Sequence, residues 1–260
     1  MSGKPPDLSV VIPAYNEAAR LPATLSRLRA FLVGRPEVSE VVIVADGSTD
    51  ETVAIAAAAA RDMPFPLCVR AHPTNRGKGH CVAQGVRLAA GRRILMTDAD
   101  LSVPLEELDR LAPWLDRGYA VAIGSRTLRG EGTEVTRGLR RAAAGWVFTC
   151  LVSRALRTGV QDSQCGFKLF EAEAAREIFA RLTVERFAFD VEALVIAAAL
   201  GYRVIEVAVS WHEDPLSKVR LFRDAQRMAR DVFRIRRQIR AGAYAAPAGA
   251  VPPHDPSASR

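Results

Sequence analysis

Asp98 and Asp100 stand two residues apart, directly after the apolar run Ile94-Leu95-Met96. On an extended backbone alternate side chains share a face, so the two carboxylates converge on one point just where a strand would end. Carboxylates placed in that way suit a hard divalent cation that bridges to substrate phosphates. Asp-x-Asp is common in loops by chance. Its weight here comes from its position after a β-like run, fourth in an alternating series, and from three other unusual loops that follow the earlier apolar runs.

The first of these loops is Pro13-Ala14-Tyr15-Asn16-Glu17. A dinucleotide site would carry a glycine-rich turn there, and this chain does not. The second is Asp46-Gly47-Ser48-Thr49-Asp50, whose first carboxylate can accept hydrogen bonds from a base or a ribose. The same residue types also make an ordinary turn and helix cap. The third is Asn75-Arg76-Gly77-Lys78-Gly79. Its glycines free backbone N–H groups and its Arg and Lys add positive charge, a combination that can hold phosphate or carboxylate. It is not a Walker A loop, because Gly77-Lys78 is followed by Gly79 rather than Ser or Thr.

The elements that must position these loops alternate. Residues 8–12, 41–44, 67–70, 93–96 and 120–123 read as strands. Between them, residues 17–32, 50–61, 79–90 and 104–116 read as helices; in the first, Leu21, Leu25, Leu28 and Leu32 share one face. The order predicts an α/β fold, a mostly parallel central sheet with helices on both faces. Two basic helices are expected further on. Residues 137–157 carry Arg137, Arg140, Arg141, Arg154 and Arg157 around an apolar, Trp-containing centre, with no acidic residue. Residues 219–240 carry eight arginines and two aspartates among regularly spaced apolar positions. Residues 241–260, rich in Ala and Pro, read as a disordered tail, and no internal repeat is present.

With about half of its 260 residues apolar, the chain can bury a full core. Cys68, Cys81, Cys150 and Cys165 match neither a zinc site nor a CxxC redox pair, so reduced thiols in a cytoplasmic protein are expected. The polar start and the short first apolar run predict no signal peptide, and no stretch is apolar enough to predict a transmembrane helix. A net charge of +7 favours anionic partners: nucleotide phosphates, nucleic acid or an acidic membrane face. A nucleic-acid-binding protein is the non-enzyme alternative. It lacks a helix-turn-helix or an aromatic-rich RNA-binding motif and leaves the acidic strand-end loops without a role.

The four loops, in this order, resemble the family 2 inverting glycosyltransferases with the GT-A fold, over residues 8–220 or so. The resemblance implies that Pro13, Ala14, Tyr15 and Glu17 line a nucleotide pocket and that Asp46 contacts the base. It implies that Gly77 and Lys78 serve the phosphates, and that Asp98 and Asp100 hold Mg2+ or Mn2+ on the diphosphate, Asp98 also facing the sugar phosphate. Many members have a second Asp where this chain has Ala45. Three later motifs are similar to the dolichyl-phosphate glucosyltransferase branch, and less closely to the dolichyl-phosphate mannose synthases. They are Asp162-Ser163-Gln164-Cys165-Gly166-Phe167-Lys168-Leu169-Phe170, Arg186-Phe187-Ala188-Phe189-Asp190-Val191-Glu192 and Trp211-His212-Glu213-Asp214-Pro215-Leu216-Ser217-Lys218. Leu216 departs from the Gly that the branch often has, and the eukaryotic members look membrane-anchored, whereas no anchor is expected from this sequence.

The implied organisation is a GT-A domain over residues 1–218, a basic amphipathic helix over 219–240 and the tail. The implied reaction moves glucose from UDP-glucose, in preference to mannose from GDP-mannose, to a polyprenyl or dolichyl phosphate with inversion. Arg126, Lys78 and Lys218 would add positive charge near the phosphates. Asp162 and Asp190 are the catalytic candidates, as a base for a hydroxyl acceptor or as orienting groups for a phosphate acceptor. The two basic helices fit a protein lying on the cytoplasmic face of a membrane, or else helices that cover the core with their arginines in solvent. Alternatives are a soluble glycosyltransferase acting on a glycan or small-metabolite hydroxyl and a nucleotidyltransferase.

Overall fold

A computed structural model describes residues 5–136, 159–213 and 221–245. The expected helix at 137–157, Lys218 and residues 246–260 lie outside the described residues. The strands are β1 (Leu8–Ala14), β2 (Ser39–Asp46), β3 (Leu67–His72), β4 (Arg93–Met96), β5 (Val121–Ser125), β6 (Val135–Thr136), β7 (Lys168–Glu171), β8 (Val204–Ala208) and β9 (Trp211–His212). Strands buried on both faces need near-continuous apolar side chains. Val10-Val11-Ile12 and Val41-Val42-Ile43-Val44 supply them, and all are fully buried.

The main sheet has the order β3-β2-β1-β4-β7-β5-β8, and β6 pairs with β9 in a small second sheet. Strands β1 to β4 are parallel, with Val10 opposite Val41 on one side and Leu95 on the other. β7 is the exception. It runs antiparallel between β4 and β5, with Leu169 opposite both Leu95 and Ala122. The expected mostly parallel sheet is therefore what forms, with one reversed strand inside it, fifth of the seven.

Helices α1 (Leu21–Val33), α2 (Thr52–Asp62), α3 (Lys78–Leu88), α4 (Leu108–Asp116), α5 (Ala172–Ala180), α6 (Phe189–Ala199) and α7 (Leu221–Arg240) complete the described elements. α1 begins later than the expected residue 17, and the cause is a contact with a loop distant in sequence. The N–H groups of Asn16, Glu17 and Ala18 donate to Ser48 Oγ, Thr52 Oγ1 and Asp50 Oδ2, at 3.0, 2.7 and 3.1 Å. Those bonds hold the loop after β1 on the loop after β2, so the helix starts only at Leu21, with Pro22 in its first turn.

α7 packs its Met228, Val232 and Ile235 against the core, while Phe233 is 72% exposed. Its far end is tied down by α6. Glu192 is fully buried and accepts hydrogen bonds from Thr183 N (3.0 Å), Thr183 Oγ1 (2.6 Å), Val184 N (2.7 Å) and the Tyr244 hydroxyl (2.6 Å). Tyr244 is itself buried, so residues 241–245, read from composition as the start of a disordered tail, are ordered onto the body. The tyrosine had no partner visible in the local sequence.

Candidate functional site

The chain runs outward from β1 to β2 to β3, then crosses to the other side of β1 to form β4. The order reverses between β1 and β4, and such switch points leave a crevice outside the carboxyl ends of the strands. The Tyr15 loop leaves β1 there, and Asp98 and Asp100 leave β4 there. Both aspartates lie within a turn rather than on an extended strand: β4 ends at Met96, Leu101 closes the turn at φ 47°, a left-handed value uncommon for a leucine, and its N–H donates to Asp98 O at 3.1 Å. Asp100 Oδ1 then accepts from Ser102 N at 2.9 Å.

The two carboxylates differ in surroundings. Asp98 Oδ1 lies 2.5 Å from Lys78 Nζ, at the start of α3. Burial alone would lower the Lys78 pKa, but Asp98 and then Asp190 raise it to about 12, so it is a cation across the physiological range. Asp100 has Arg20 Nη1 at 3.9 Å. Burial and the negative charge of Asp98 push its carboxyl above the usual range, a repulsion that a bound cation would relieve.

Asp46 is buried and takes both its oxygens to the third loop, accepting from Arg76 N (2.8 Å) and Gly77 N (2.7 Å). It braces the phosphate-type loop, and the Cys81 thiol is a further hydrogen-bond partner of its carboxylate. Gly77 has φ 124°, and a Cβ there would sit 2.4 Å from Glu185 O, so only glycine fits. Of the first loop, Ala14 is buried at the end of β1 and Tyr15 is 42% exposed beside it. Glu17 pairs with Arg20 at 2.5 Å.

A cavity of about 270 Å³ opens at this crevice. Its lining combines ionic groups, Lys78, Asp98, Asp100, Arg126 and Asp190, with apolar ones, Val103, Phe167, Phe187, Trp211 and Met228, the last from α7; Arg126 lies over the Trp211 ring at 5.9 Å. Trp211 is placed by β9, and His212 N donates to Ser102 O at 2.8 Å, tying β9 to the Asp100 turn.

Of the catalytic candidates, Asp190 lines the cavity and Asp162 is not among its lining residues. Asp162 is almost fully buried and bound to Arg126 three times, from Nε (2.8 Å), Nη2 (2.7 Å) and the backbone N (2.9 Å). Burial opposes its charge, but the Arg126 hydrogen bonds dominate and hold its carboxyl below the usual range. Asp162 therefore positions Arg126, whose guanidinium stays charged. Asp190 Oδ1 lies 2.5 Å from Lys168 Nζ, and the same ammonium donates to Cys165 O at 2.5 Å. The buried Lys168, like Gln164, Phe187, Trp211 and Met228, received no role from sequence reasoning. The first four lie in motifs whose unusual wording was the available signal; for Met228 there was none.

Residues 9–179 match the sequence profile described as Glycosyl transferase family 2. The dolichyl-phosphate beta-glucosyltransferase of Drosophila melanogaster is 40% identical over 243 residues, covering 88% of this chain and 74% of that protein. The Homo sapiens enzyme of the same name is 35% identical over 258 residues, covering 91% and 77%. Among solved structures, glucosyl-3-phosphoglycerate synthase of Mycobacterium tuberculosis with Mn2+, UDP-glucose and phosphoglyceric acid superposes with a TM-score of 0.60, at 16% identity, over 94% of this chain and 82% of that one. This last likeness is one of fold.

Proposed function

Because the chain belongs to glycosyl transferase family 2, we propose that it transfers glucose from UDP-glucose to a polyprenyl phosphate, dolichyl phosphate included, with inversion at the anomeric carbon. It is a glycosyltransferase of the GT-A fold. The names of the relatives support the sugar and the acceptor. The observation that carries the reading in this chain is the mixed lining of one cavity: ionic groups for phosphates together with Val103, Phe187, Trp211 and Met228 for a hydrocarbon chain.

In the reaction, an oxygen of the acceptor phosphate forms a bond to C1 of the sugar while the bond from C1 to the diphosphate breaks. UDP leaves with the electron pair, and attack from the opposite face inverts the centre. A phosphate monoester has a second pKa near ~6, so at neutral pH the nucleophile is already ionised and no base is required. Asp190, tied to Lys168, orients groups rather than removing a proton. Lys78 and Arg126, both permanently charged, offset negative charge on the phosphates. Pro13, Ala14, Tyr15 and Glu17 line the nucleotide, and Asp46 contacts the base while it holds Gly77. Lys218 adds a further cation.

Among the described residues no cluster of three or more His, Cys, Asp or Glu side chains is arranged to hold a metal. Asp98 and Asp100 nevertheless fit a hard cation of the Mg2+ or Mn2+ kind, which takes one or two carboxylates and completes its shell from substrate phosphates and water. Bound there, it would neutralise charge that develops on the departing diphosphate. Among the described residues no helix is long and apolar enough to cross a membrane. α7 offers a different attachment: Phe233 stands exposed beside Arg234, Arg236 and Arg237, which suits an anionic bilayer face.

The test is turnover. Protein incubated with UDP-glucose, Mg2+ or Mn2+ and vesicles containing polyprenyl phosphate should release UDP and form a glucosyl phospholipid in equal amounts. GDP-mannose should serve poorly and EDTA should stop the reaction. Transfer only to a sugar hydroxyl, with none to the lipid phosphate, would sink the acceptor assignment.

A further inference from the structure

Gln164 lies in the loop between Asp162 and β7 and is among the residues that line the cavity. Its amide nitrogen is shut off from water and has no hydrogen-bond partner within the protein. A buried N–H without an acceptor is unfavourable, and groups left in that state at a cavity wall point to a partner that arrives with a ligand.

The loop's contacts indicate which part of the ligand. At Gly166 it lies against Asp98, so close that a Cβ would fall 2.1 Å from Oδ2. At Cys165 its carbonyl accepts from the Lys168 ammonium that holds Asp190. The loop therefore lies against the Asp98 carboxylate and is linked through Lys168 to Asp190, the group assigned to orienting the acceptor. What joins diphosphate and acceptor in the proposed reaction is the sugar. The chemistry agrees: phosphate oxygens only accept, and cations serve them, whereas a sugar hydroxyl both donates and accepts, as a neutral carboxamide does.

We propose that Gln164 hydrogen-bonds a hydroxyl of the transferred sugar and so determines which sugar is accepted. The inference rests on the UDP-glucose reading. It is tested by titration calorimetry of UDP and of UDP-glucose, with Mg2+ present, against the wild type and Gln164→Met, a change that keeps the length and removes the amide. The expected result is unchanged affinity for UDP and roughly tenfold weaker binding of UDP-glucose, the size of one lost hydrogen bond. Thermal unfolding checks the fold, and Gln164→Ala gives the same readout should Met not be accommodated. Wild-type affinity for UDP-glucose, or an equal loss for UDP and UDP-glucose, overturns the proposal. A wild-type protein that binds neither ligand overturns the donor reading, and this inference with it.

Discussion

Asp190 faces the cavity with the Lys168 ammonium on its Oδ1, and both side chains are almost fully buried. Removing one charge of such a pair strands the other. Asp190→Asn is expected to lower the unfolding free energy by about 3–5 kcal/mol, measured by urea titration, and adding Lys168→Met should restore most of it. With a phosphate acceptor, turnover per folded molecule of the double variant should stay well short of the ~10²–10⁴-fold loss that removing a general base brings. A loss of that size with the fold intact would instead argue for a hydroxyl acceptor. Asp162 gives a pH prediction. Its carboxyl is held below the usual range, so its stabilisation is complete above the unfolded value of ~3.9 and fades as pH falls through the folded one. Asp162→Asn should therefore be less stable at pH 7 and show a shallower decline in acid. Gly166→Ala should displace Asp98, since its Cβ has no room; loss of activity with little change in melting temperature is the expected pattern. Asp98 and Asp100 were legible in the sequence because their relation is local, two residues apart just past an apolar run, although the backbone that carries them is a turn and not the extended strand that the spacing predicts. Arg126 with Asp162 and Lys168 with Asp190 were not, because each pair meets only after the sheet has formed.

At the scale of elements, the early strands and their helices could be read from apolar runs, and β1, β2 and β4 lie where those runs predict. β7 was harder. It is four residues long, and its first, Lys168, is a buried charge that breaks the apolar pattern. The start of α1 was misread for a related reason, since residues 16–18 are held by hydrogen bonds to a loop distant in sequence. α7 was visible in its arginines and apolar spacing, but its attachment was not. Glu192 clamps Tyr244 and so fixes the helix that brings Met228 to the cavity. Tyr244→Phe leaves a buried carboxylate one donor short and should cost about 1–3 kcal/mol. Hydrogen exchange should quicken along residues 221–240, and KM for the lipid acceptor should rise more than KM for UDP-glucose. Unchanged exchange in α7 would show that the clamp does not hold the helix.

For the whole molecule, the +7 charge and the exposed Phe233 face together predict salt-sensitive attachment to anionic vesicles. Flotation with anionic liposomes should carry the protein at low salt and release it at high salt, and Phe233→Asp should weaken flotation while UDP binding stays the same. Protein that remains in the soluble fraction at low salt would refute the attachment. The reversed strand has a different consequence, one of timing. β3-β2-β1-β4 and β5-β8 share hydrogen bonds only through β7. While the ribosome is still short of Lys168, β4 and β5 each present an open edge with apolar, pairable backbone. The two halves of the sheet are joined by the last interior strand to be synthesised, so a nascent chain stalled or cut before Glu171 has its most aggregation-prone edges where the finished enzyme has its interior.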